Sequence, residues 1–170
     1  MDNKAHEQSS HMLTCITYNC EYADDVRISF LKFLYNQCDF LFVQEHGLYK
    51  SQFGWFNKLG INVGVHGVSA MDEGIALKGR PYGGAAIAWN GGINANIKPV
   101  KYESTRMCAL TVNIADESFL LICVYMPCDD NRPCHNLVEY NTVLNDIKTI
   151  CNSVDVDHVI LGGDFNSNVP

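Results

Sequence analysis

The chain has 170 residues, 47% of them hydrophobic and 18% charged, with a net charge of −7 and a pI of about 5.2. That much apolar material, dispersed in short runs, suits one domain with a real core and excludes a disordered chain or a membrane-spanning one. The acidic balance excludes an overall basic field for nucleic acid or an anionic membrane, so any phosphate site must use a few aimed donors or a bound cation.

In chain order, residues 1–10 read as a polar tail with no apolar run of signal-peptide length. The expectation is a protein that is not secreted and stays inside the cell, in nucleus or cytoplasm. Residues 11–19 are β-prone, and 24–37 carry Val26, Phe30, Phe33 and Leu34 at helical spacing behind Asp24 and Asp25, which suit a helix start. A short apolar strand is expected at 39–44, an irregular or helical link at 47–60, a strand at 61–68 and a Gly-rich loop at 69–84.

Further strands are expected at 85–89, 106–113 and 119–126, with Ala115-Asp116-Glu117-Ser118 turning the last two into a hairpin. The unbroken apolar run 119–126 implies burial on both faces. After a polar loop at 127–134, Leu137, Tyr140, Leu144, Ile147 and Cys151 mark one face of a helix, and 156–161 returns to strand with His158 expected to pack. This is an α/β (α+β) pattern whose sheets need helices on their outer faces.

The eight cysteines are Cys15, Cys20, Cys38, Cys108, Cys123, Cys128, Cys134 and Cys151. Most sit in apolar periodic segments, where a reduced thiol packs as a small hydrophobe, so they read as buried thiols of a reducing compartment. Cys128, Cys134 and His135 invite a zinc reading, but the spacing matches no common finger.

The informative polar residues sit at carboxyl ends of strands. Asn19 ends the first, Glu45 the second, Tyr125 the hairpin, and Asp164 with Asn166 follow the last. Taken singly, each has a plain structural reading as a turn former, a solvated end or a loop cap. Together they suit a site built where rigid strands converge. Asp164 and Asn166, two apart, can share one extended face, and an Asp and a Glu meeting there are hard oxygen ligands suited to Mg²⁺. In the loop after Tyr125, Arg132 reads either as a phosphate contact or as a solvated side chain; His46, directly after Glu45, reads either as a substrate-phosphate contact lining the mouth or as structural.

Thr17-Tyr18-Asn19, Gln44-Glu45-His46, Tyr82-Gly83-Gly84-Ala85-Ala86-Ile87, Val124-Tyr125-Met126-Pro127 and Gly162-Gly163-Asp164-Phe165-Asn166 occur in an order and spacing that resemble the endonuclease/exonuclease/phosphatase superfamily. Arg106-Met107-Cys108-Ala109-Leu110 and Leu121-Ile122-Cys123-Val124 are most similar to the apurinic-type endonuclease domain of non-LTR (LINE-like) retrotransposons. The resemblance implies an αββα sandwich, with 11–170 forming the N-terminal portion of a single domain. It implies Glu45 and Asn19 on a catalytic Mg²⁺, with Mn²⁺ an alternative. It also implies Tyr125 on the scissile phosphate, Asp164 on the attacking water, and Asn166 holding Asp164 and the phosphoryl oxygens.

Members of that family continue to a further Asp and a Ser-Asp-His motif that these 170 residues do not contain. Turnover by this chain alone is therefore expected to be impaired. Two function classes follow from the sequence. One is a metal-dependent endonuclease-like phosphodiester hydrolase acting on DNA, or on another phosphodiester, since that scaffold also serves RNA and small phosphoesters. The other is a catalytically inactive, retroelement-derived binding or self-assembly module, a homo-oligomer formed through an exposed sheet edge.

Overall fold

Short β-prone runs separated by two amphipathic helical stretches fold, in the computed structural model, into two four-stranded mixed sheets. The structure describes residues 12–128 and 135–167. The polar segment 1–10, Arg132 and Cys134 lie outside the described residues.

The first sheet joins β1 (Cys15–Asn19), β2 (Phe40–Gln44), β3 (Val63–Val68) and β4 (Ala85–Asn90) in the order β1-β2-β4-β3. The second joins β5 (Asn96–Pro99), β6 (Met107–Ile114), β7 (Glu117–Tyr125) and β8 (His158–Asp164) in sequence order. The β1–β2 and β7–β8 pairs are parallel, the rest antiparallel. A parallel pair requires a crossover, and α1 (Ile28–Tyr35) and α2 (His135–Ser153) supply the two.

The layering follows from which strand faces are apolar. Phe40, Phe42, Ala85 and Ile87 of the first sheet meet Cys108, Leu110, Val112, Leu121 and Cys123 of the second in the inter-sheet core. The opposite face of the first sheet, Leu41, Val43, Ala86 and Ala88, is covered by Leu31 and Tyr35 of α1 and by Phe56 and Leu59 of the 3-10 helix Lys50–Leu59. The opposite face of the second, Met107, Ala109, Leu120, Ile122 and Val124, is covered by Val143 and Ile150 of α2. Strands β2 and β7 are thus buried on both faces, as their unbroken apolar runs require. Each large side chain so buried stabilises the fold by about 1.5–3 kcal/mol.

Three expectations are corrected. The first helix begins four residues later than expected, because the Asp24 carboxylate accepts the backbone N–H groups of Val26 (3.0 Å) and Arg27 (2.9 Å) in a turn that precedes it. Its buried face is Leu31 and Tyr35, whereas Val26 is 85% and Phe33 58% exposed. The helix is apolar around most of its circumference, so spacing alone could not choose the face, and contact with the sheet did. Phe30 instead meets Tyr18 edge-on, with ring centroids 5.1 Å apart, and stacks on Phe33. Second, β5 adds a strand where the apolar pattern predicts none: it is short, polar and ends in Pro99, which an edge strand tolerates. Third, His158 is exposed and lies against Phe119 rather than packing in the core.

The described cysteines are free thiols, with Cys20, Cys108 and Cys123 buried and Cys128 exposed. Strands β1 and β8 are each the last in their sheet, lie on the same side of the sandwich and touch one another.

Candidate active site

The registers of the two parallel pairs end flush. Asn19 pairs with Gln44, so Glu45 emerges beside it, and Tyr125 pairs with Asp164. Because β1 and β8 adjoin, these two strand-end pairs open onto one mouth. Close approach of the sheets there requires glycine in β8: a Cβ on Gly162 would stand 2.8 Å from Phe42 Cδ2.

The centre is a carboxamide between two carboxylates. Asn19 Nδ2 donates to Glu45 Oε1 at 2.9 Å and to Asp164 Oδ2 at 2.7 Å, while Asn19 Oδ1 accepts the Glu21 backbone N–H at 2.9 Å. The oxygen expected to face a metal is therefore turned to the backbone, and the amide nitrogen sets the spacing of the two acids. Asp164 Oδ1 accepts the Asn166 backbone N–H at 3.0 Å, and Asn166 Nδ2 donates to the Met126 carbonyl at 2.7 Å. Asn166 thus fastens the end of β8 to the end of β7 with its side chain and holds Asp164 with its backbone.

Two of these residues sit in the left-handed region, Glu45 at φ 54° and Asn166 at φ 44°. For a Glu that conformation is strained by roughly 1–3 kcal/mol, and flanking backbone bonds maintain it. The Glu45 N–H donates to Gly84 O at 2.9 Å, and the Gly47 N–H to Gly83 O at 2.9 Å. Gly84 itself has φ 91°, and a Cβ there would run into the His46 ring.

His46 does not line the mouth. It is 0% exposed, its Nε2 donates to the Val68 carbonyl at 3.1 Å, and its Nδ1 accepts the Leu48 N–H at 3.0 Å. Both ring nitrogens are occupied, so the expected phosphate contact is withdrawn. Burial pushes its pKa down to about 4, against smaller opposing contributions from backbone hydrogen bonds.

Tyr125 faces Glu45, and its phenol is pushed well above the usual range, first by burial and then by a hydrogen bond to that carboxylate. It remains a protonated donor. Sequence reading missed its neighbour: the Arg106 guanidinium carbon lies 5.6 Å from the Tyr125 ring centroid, and Arg106 Nε donates to Glu139 Oε1 of α2 at 2.6 Å. Arg106 stands in a stretch singled out by resemblance, but its acidic partner is 33 residues away on a helix face that carried no motif. Gln44 was also missed as a tie: it accepts from Thr17 Oγ1 at 3.2 Å and donates to Cys123 Sγ at 3.2 Å, joining the sheets beneath the mouth.

Among the described residues no three His, Cys, Asp or Glu side chains cluster as a metal cage. The donors present, the Glu45 and Asp164 carboxylates at a partly solvated mouth, still fit a hard cation of the Mg²⁺ type, which keeps waters and takes one or two carboxylates plus phosphate oxygens. A separate cleft of about 680 Å³, lined by Lys50, Ser69, Ser104, Arg106, Glu139 and Asp146 among others, flanks this mouth and shares Arg106 with it.

No protein-family model and no curated protein matches the chain. Solved structures do. The endonuclease domain of TRAS1, a telomere-specific non-LTR retrotransposon, superposes with a TM-score of 0.64 at 16% identity over 92% of this chain and 61% of its own. The 3′ phosphatase NExo from Neisseria, bound to a product DNA hairpin, gives 0.64 at 16% identity over 91% and 58%. D. rerio TDP2, complexed with single-strand DNA product, gives 0.59 at 14% identity over 92% and 62%. The chain spans about three fifths of the length of these structures.

Proposed function

We propose that this chain, whose fold is that of the endonuclease/exonuclease/phosphatase superfamily, carries the metal- and phosphate-binding portion of a phosphodiester hydrolase that acts on DNA. The observation that carries this reading is the Asn19 amide held between Glu45 and Asp164, side chains from three strand ends far apart in sequence. A purely structural cap would not bring two acids to one amide at an open mouth in an otherwise acidic protein.

Glu45 would hold a Mg²⁺ ion, or Mn²⁺, with waters and phosphate oxygens completing its shell. Such an ion, when bound, neutralises phosphoryl oxygens and offsets the −7 charge that would otherwise repel the substrate. Asp164, its two oxygens held by Asn19 and Asn166, would orient a water and accept its proton. The Tyr125 phenol, protonated at neutral pH and hydrogen-bonded to Glu45, would exchange that partner for a phosphoryl oxygen once a cation occupies the carboxylate. Asn19 and Asn166 keep these groups from collapsing on one another. Turnover by these 170 residues is low in this reading, because they include no Ser-Asp-His acid/base motif.

The test is Mg²⁺-dependent nicking of supercoiled DNA, with Glu45→Ala and Asp164→Ala. Weak nicking by the parent chain, lost in both variants and on chelation, supports the reading. Its complete absence, at the protein and metal concentrations that expose a slow enzyme, counts against it.

A second reading rests on a different observation. Beside β1 and β8, each last in its sheet among the described residues, Val159 is 50% and Leu161 38% exposed, and Phe30 and Phe33 are partly exposed on the adjoining helix. Terminal strands with apolar neighbours suit strand addition, so a self-associating, non-catalytic module would join two copies along that side. Sedimentation that shows a concentration-dependent dimer without nicking would favour it.

A further inference from the structure

We propose that Arg106 is a positioning residue, which holds the Tyr125 phenol against the site through a cation–π contact and is itself aimed by Glu139. This rests on the hydrolase reading above and assigns to the site a part outside its motif residues.

The geometry makes one connected unit. Ser104 Oγ accepts the N–H groups of Arg106 (3.1 Å) and Met107 (3.2 Å), closing a turn that starts β6. The Arg106 carbonyl accepts the Tyr125 N–H at 2.8 Å, so the two residues are fastened at the backbone as well as at the side chain. From that anchor the guanidinium lies over the Tyr125 ring at 5.6 Å, within the range of a cation–π contact. Glu139 fixes its direction at 2.6 Å, and Tyr102 Oη donates to Asp146 Oδ1 at 2.8 Å, tying the same loop to α2 a second time. The Arg106 side chain is 26% exposed, so the pair is partly shielded from water.

Tyr125 ends β7 partly exposed, with its phenol hydrogen-bonded to Glu45, and a ring held at its tip alone keeps freedom to tilt about its χ1 and χ2 torsions. A phenol that must donate to a phosphoryl oxygen loses rate steeply when displaced by an ångström. A planar cation on the ring face, clamped by a carboxylate, removes that freedom. In this proposal Arg106 acts through Tyr125, with Glu139 on its Nε and the guanidinium carbon over the ring, and the double-mutant cycle separates that role from a contact of its Nη groups with substrate.

The test combines a double-mutant cycle with a spectroscopic readout. Arg106→Met in the full chain should lower kcat for nicking roughly tenfold with KM within about twofold. In a Tyr125→Phe background the same change should cost less than about twofold, because the phenol it positions is gone. With 3-fluorotyrosine placed at position 125, Arg106→Met and Glu139→Gln should each shift and broaden the ¹⁹F resonance, and Arg106→Lys should restore it in part. Equal losses in both backgrounds would show Arg106 acting on substrate directly and overturn the proposal, as would an unmoved resonance. Should Arg106→Met fail to fold, Glu139→Gln, at a partly exposed position, carries both measurements. A parent chain without nicking would count against the hydrolase reading alone, and the ¹⁹F experiment would still decide whether Arg106 holds Tyr125.

Discussion

Asp164 Oδ2 accepts a hydrogen bond of 2.7 Å from Asn19 Nδ2 across 145 residues of sequence, and the same amide nitrogen reaches Glu45. Two carboxylates are thereby held at a fixed spacing by one neutral donor. That arrangement keeps both acids available to a cation or a water.

Replacing the donor by an acid exposes the site's electrostatics. In Asn19→Asp a third carboxylate faces Glu45 and Asp164, so the metal-free protein should lose about 1–3 kcal/mol in urea denaturation. Added Mg²⁺ should recover much of that loss and raise Tm more than in the parent. A Tm that ignores Mg²⁺ in this variant would mean the mouth does not accept a divalent ion.

His46 predicts a pH dependence. Its pKa is lowered to about 4 in the fold, against about 6.5 in an unfolded chain, so the unfolded state takes up a proton first as pH falls. The stability associated with the neutral ring is fully present above pH 6.5 and is lost progressively down to about pH 4, a total of roughly 3 kcal/mol. Urea midpoints measured across that window should fall, and His46→Gln should flatten the slope while lowering stability at pH 7.

Gly162 tests the approach of the sheets. Gly162→Ala would drive a methyl group toward Phe42 and should destabilise by about 1–3 kcal/mol. Phe42→Leu in the same chain should relieve part of that loss, whereas Phe42→Leu alone destabilises. Additive losses in the double variant would argue against a direct clash.

The face of α1 can be read by substitution. Leu31→Ala should cost about 2–5 kcal/mol, because Leu31 is buried against the sheet. Phe33→Ser should change stability by less than about 0.5 kcal/mol in the monomer. If self-association uses this side of the molecule, Phe33→Ser should weaken the dimer in sedimentation without altering the urea midpoint at low concentration.

How much was legible in the sequence differs by element. Runs such as Phe40–Gln44 and Leu120–Val124 announce buried strands because continuous apolar stretches need cover on both faces, and cover is what they have. Asn96–Pro99 gave no such signal, since an edge strand in partial contact with solvent needs no apolar pattern. In α1, apolar residues surround the helix, and the choice of Leu31 over Phe33 was made by the sheet it packs on.

The candidate site divides the same way. The residue types at strand ends were enough to name Asn19, Glu45, Tyr125, Asp164 and Asn166, because local pattern places strand ends and strand ends place side chains. Whether a neighbouring polar residue faces outward or inward is a matter of packing. His46, adjacent to Glu45, is turned into the core by the Val68 carbonyl and the Leu48 N–H, and Arg106 is drawn over Tyr125 by Glu139 from another element.

The sequence by itself therefore determined the layers, the strand ends and the acidic field, because periodicity, composition and charge are local or summed properties. Only the tertiary structure decided which nitrogen meets which carboxylate. Those contacts join residues from 26 to 145 positions apart, and their geometry exists only once parallel registers and sheet packing bring the strand ends to one mouth.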